Sequence, residues 1–101
     1  MFNKYCIYTS QGLVVNISPV AISVNDTINK RVAMFACDEE IAQHFRVAIS
    51  NSLGAVSNTM QDGVIMMMAI LTGETSNSKF ASFDGVIEHL QTEYFLDGSV
   101  Q

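Results

Sequence analysis

Behind the triple acid Asp38-Glu39-Glu40, the apolar residues Ile41, Phe45, Ala48, Ile49, Leu53 and Val56 recur at helical spacing. Three carboxylates in a row suit the positive end of a helix dipole. The pattern predicts an amphipathic helix from about Asp38 to Val56, with Gly54 weakening its end. No other stretch restricts the fold as tightly, and the remaining segments are read around it.

The first third reads as sheet. Tyr5–Thr9 is aromatic and β-branched, Ser10-Gln11-Gly12 is a turn signal, and Leu13–Ile17 is a second strand. Together they predict a β-hairpin. Pro19 has no N–H to give a ladder, so it ends a strand or sits on an edge. Val20–Val24 resumes the strand, Asn25-Asp26 reads as a turn or cap, and Arg31–Cys37 as a short buried strand, with a helix start as the lesser alternative.

Beyond the helix the signals conflict. Val64–Leu71 is the longest fully apolar run, eight residues. Asn58 and Gln61 resemble a capping box, and Met60, Val64, Met67, Met68 and Leu71 fit one helix face. Bracketed by Asp62-Gly63 and Gly73, the same run also fits a buried strand. Helix is the preferred reading and strand stays open. After the polar loop Glu74–Ser78, Ser82 caps a last helix whose stripe is Phe83, Val86, Ile87, Leu90 and Tyr94. Asp97-Gly98-Ser99 ends it, and the tail is expected to fray. The expected fold is α+β: an N-terminal antiparallel hairpin or small sheet, then two or three helices packed on one face. Nothing in the 101 residues marks a domain boundary, so they read as one domain.

Charge and hydropathy narrow the function classes. Hydrophobic residues make up 49% and charged residues 15%, against roughly 25% charged in an average soluble domain. The excess predicts apolar surface covered by another subunit, hence a homo-oligomer, a dimer or larger. Net charge is −5, and it lies beyond Cys37: Asp38–Gln101 sums to −7, Met1–Cys37 to +2. Such a surface repels nucleic acid and could meet a basic protein partner. An apolar run of eight residues is far short of the roughly 20 that span a membrane. The N-terminal stretch, broken by Ser10, Gln11, Asn16 and Ser18, is a poor secretory signal. Cys6 and Cys37 fit no metal spacing and read as reduced structural thiols of a cytoplasmic protein. The three acids after Cys37 disfavour a thiolate there.

Chemistry-bearing residues are few. Phosphate loops, nucleophile elbows and the paired-histidine zinc motif are all missing. Glu40 and His44 are four apart on one helix, and His89 and Glu93 four apart on the other, each at the border of an apolar stripe. Facing each other, the four could hold a metal or act as acid and base. The plainer reading is ordinary helix-border polarity, and no cofactor is expected. Met60, Val64, Met66, Met67, Met68 and Leu71 are the candidate binding or interface residues, because methionine packs adaptably.

Three functions follow in order. The first is a non-catalytic interaction protein, with the profile of small accessory proteins of phages and mobile elements. The second is a small-molecule-binding domain, its apolar pocket lined by Met66–Met68 and aromatics. The third is an enzyme with His44 or His89 as general base.

Overall fold

The computed structural model describes residues 3–100. The chain begins with a four-stranded antiparallel meander: β1 (Lys4–Thr9), β2 (Leu13–Ile17), β3 (Ala21–Asp26) and β4 (Arg31–Ala36). Helix α1 (Glu39–Leu53) follows, then the hairpin β5 (Val56–Gln61) and β6 (Val64–Ala69). A short helix α2 (Gly73–Ser76) and a 3₁₀ turn (Lys79–Ala81) lead to α3 (Phe83–Glu93), and β7 (Gly98–Val100) closes the chain. The seven strands form one mixed sheet in the order β5-β6-β1-β2-β3-β4-β7. Among the described residues its only parallel pair is β1 with β6.

The helices carry the chain across this sheet. From β4 to β5 is five strand spacings, about 24 Å. The 15 residues of α1 span about 22 Å, so one helix makes the crossing. The return, from β6 to β7, takes α2, the 3₁₀ turn and α3. Both long helices lie on one face. Ala42, Phe45, Ile49 and Leu53 of α1 join Phe83, Val86, Ile87 and Leu90 of α3 in one buried cluster with Ile7, Val15, Ile17, Ile22, Val24, Phe35 and Met67. Among the described residues no helix is long and apolar enough to cross a membrane.

Several expectations hold locally. Asp38 caps α1, its carboxylate accepting from the Ile41 N–H at 2.8 Å. The expected end near Val56 is corrected: Gly54 ends α1 in the left-handed region, φ 66°, after Leu53, and Val56 leaves the helix stripe to open β5. Ser82 caps α3 by accepting from the Gly85 N–H.

The overall architecture does not hold. The sheet is no small hairpin under helices: strand accounts for 39% of the structure and helix for 34%. Three segments make the difference. Val64–Ala69 is a strand, because β6 lies between β1 and β5 and its run of methionines is shared between both sheet faces. Asn58 and Gln61 cap no helix; they belong to β5. Asp62-Gly63 is the hairpin turn between the two, with φ of 53° and 78°, the two positive values of a type I′ turn. The tail does not fray: Gly98 pairs with Phe35 and Val100 with Ala33. Gly98 has a packing reason, since a Cβ there would run into the Phe35 ring. Asn25 and Asp26 finish β3 rather than turning, although the Asp26 carboxylate does organise the turn that follows.

Candidate functional site: an open sheet edge and an uncovered face

Cross-strand register sorts the side chains into two faces. On the helix side one row runs Met60, Ile65, Tyr5, Ile17, Ile22, Phe35, Gly98. On the other side a row runs Thr59, Met66, Cys6, Asn16, Ser23, Met34, Ser99. A second row there joins Val56, Met68, Tyr8, Val14, Asn25 and Val32. No helix among the described residues covers this face. It mixes methionines and valines with Asn and Ser, and most of its residues are half-buried by their neighbours alone.

The face ends at β5, the edge of the sheet. All six residues of β5 are exposed, and among the described residues β6 is its only strand neighbour. Val56 is 62% and Met60 57% exposed. Register shifts at Asn58, where a bulge lets Ser57 and Thr59 oppose successive residues of β6. The Asn58 amide donates to the Tyr8 hydroxyl at 3.1 Å, pinning the bulge to the uncovered face. Edge strands are usually guarded by charge, proline or a bulge. Here the bulge is the single guard, since Val56–Gln61 holds neither charge nor proline.

The candidate interface residues therefore divide. Met67 and Leu71 are core. Val64, Met66 and Met68 lie on the uncovered face, and Met60 at the edge on the helix side. Alternation along β6 sends Met67 one way and Met66 and Met68 the other, so the three do not line one cavity. Asn58 and Tyr8, which brace the edge, were missed. The signal for them was weak, because a polar edge strand has no apolar period.

Of the four polar residues expected at helix borders, Glu40, His44 and Glu93 are exposed, whereas His89 lies inside the core instead. His44 Nδ1 and the Tyr94 hydroxyl lie 2.6 Å apart, and the Tyr94 ring sits edge-on to both His44 and His89. His89 is 9% exposed, packed among Phe45, Phe80 and Tyr94, and among the described residues neither of its ring nitrogens has a hydrogen-bond partner. Burial pushes its pKa below the ordinary histidine value; Lys79 and His44 add to this and Glu93 opposes it. Burial and the Glu93 charge raise the Tyr94 pKa. Among the described residues no three of His, Cys, Asp and Glu stand close enough to share a metal ion. An open cleft of about 570 Å³ runs along α1, lined by Glu40, Gln43, His44, Val47 and Ala48.

Both cysteines are free. Cys6 is buried, and Cys37 lies within 3.7 Å of the Ser18 carbonyl. Burial raises both thiol pKa values, with Asp38 adding to the effect at Cys37. Neither is poised as a nucleophile. Comparison with protein-family models, curated proteins and solved structures finds no match.

Proposed function

We propose that this is a non-catalytic interaction protein that works as a homo-oligomer in the cytoplasm, where its two free thiols stay reduced. The observation that carries the reading is the β5 edge, which has a bulge but no charge or proline to guard it, beside an uncovered sheet face. Val56 stands in solvent beside Met68 on the uncovered face, and Met60 stands in solvent at the same edge on the helix side. Exposed backbone donors and acceptors along an uncharged edge favour pairing with another strand. Exposed apolar side chains add area that leaves water on association. The chain's low charge, 15% against roughly 25% in an average soluble domain, supports the same reading.

Light scattering after size-exclusion chromatography tests it. The expected mass is a multiple of 11.1 kDa at micromolar protein. A monomer throughout overturns the proposal.

A further inference from the structure

We propose that the partner is a second copy of this chain, docked with its β5 antiparallel to β5 across a twofold axis, so that two seven-stranded sheets run on as one. This rests on the oligomer reading above and names the surface and the occupant.

The sheet has two ends, and they differ. At one end β7 is three residues long. At the other, β5 offers six, about 20 Å of ladder. A longer edge offers a partner strand more unpaired backbone donors and acceptors. Apart from the bulge at Asn58, Thr59–Gln61 pairs regularly with β6 and leaves its outer edge free for a partner. Beside it, Met60 and Val56 supply apolar contacts that a bare backbone ladder lacks.

Charge selects a copy over a basic partner. From Val47 to Gly73, Asp62 is the only charged residue. A basic protein finds almost no counter-charge along this edge. Two copies each carrying −5 repel elsewhere, and this neutral stretch is where they meet at least cost. An antiparallel pairing about a twofold is also self-complementary: whatever register β5 adopts, each residue contact occurs twice. No like charges are brought opposite one another within the strand, the arrangement that destabilises a sheet pair.

The test is amide hydrogen exchange on the full-length chain, read at high and at low protein concentration, together with Met60→Glu. Met60 is exposed, so its replacement leaves the monomer's thermal midpoint unchanged. The proposal expects Val56–Gln61 to gain protection with concentration while β7 does not. It expects Met60→Glu to weaken association about tenfold or more, since each copy then carries a carboxylate out of water where an apolar side chain stood. Association with protection elsewhere, or with full strength in Met60→Glu, overturns the β5 interface and leaves the oligomer reading standing. Absence of any association overturns both.

Discussion

His89→Met should make the protein more stable and less sensitive to acid. His89 sits in α3 with both ring nitrogens buried and unpartnered among Phe45, Phe80 and Tyr94. Leaving a buried polar group unsatisfied costs about 1–3 kcal/mol. Methionine has no such group, is a better helix former, and adapts its shape to aromatic neighbours. The expected gain at pH 8, where histidine is neutral, is therefore about 1–3 kcal/mol. At this chain length each kcal/mol moves the thermal midpoint by roughly 4–8 °C. Acid should widen the gap. The folded pKa of His89 is lowered, so the unfolded chain binds its proton first. Stability is then undiminished above the unfolded value near 6.5, falls as pH drops below it, and levels off once pH is under the folded value. Urea unfolding of both proteins between pH 8 and 5 measures this. A variant less stable than the parent at pH 8, or a parent and variant with parallel pH profiles, refutes the reasoning.

Other perturbations test separate parts of the fold. Asp26 accepts from the Asn29 side chain and from the Asn29 and Ile28 amides, and pairs with Arg31, which holds its pKa down to about 2. Stability tied to it is present above the ordinary value of 3.8 and lost as pH falls toward 2; carbon-detected titration should find Asp26 protonating well below 3.8, and a midpoint at 3.8 contradicts this. Phe95 follows α3 with φ 54° and is 86% exposed. Phe95→Gly should stabilise by ~0.5–1 kcal/mol in denaturant, since left-handed backbone costs a bulky residue about 1–2 kcal/mol and glycine's entropy takes part of that back. Gly98→Ala sets a Cβ against the Phe35 ring and should cost about 1–3 kcal/mol. An unchanged midpoint would mean β7 does not dock.

Parts of this molecule were written plainly in its sequence. Asp38, the Ile41–Leu53 stripe and Gly54 define α1 because cap, period and stop agree. Ser82 and the Phe83–Leu90 stripe define α3 for the same reason. The edge that matters most was hidden. Val56–Gln61 is exposed on all sides, so no apolar alternation marks it. Val64–Ala69 lies inside the sheet, and an apolar run of that length has no period to separate strand from helix. Methionine's helix preference then tilted the balance the wrong way, and tertiary pairing with β1 overrode it. Asp62-Gly63 between the two runs carried the hairpin signal, and the flanking strands give it meaning. The meeting of His44, Tyr94 and His89 needed the fold, because 50 residues separate His44 from Tyr94.

Sedimentation equilibrium of the unmodified chain at low and at high salt tests the central claim most directly. Two acidic copies meeting at a neutral strand predict a particle of twice 11.1 kDa whose association holds or tightens as salt screens their repulsion. A particle of 11.1 kDa at every concentration, or a dimer that salt dissolves, contradicts it.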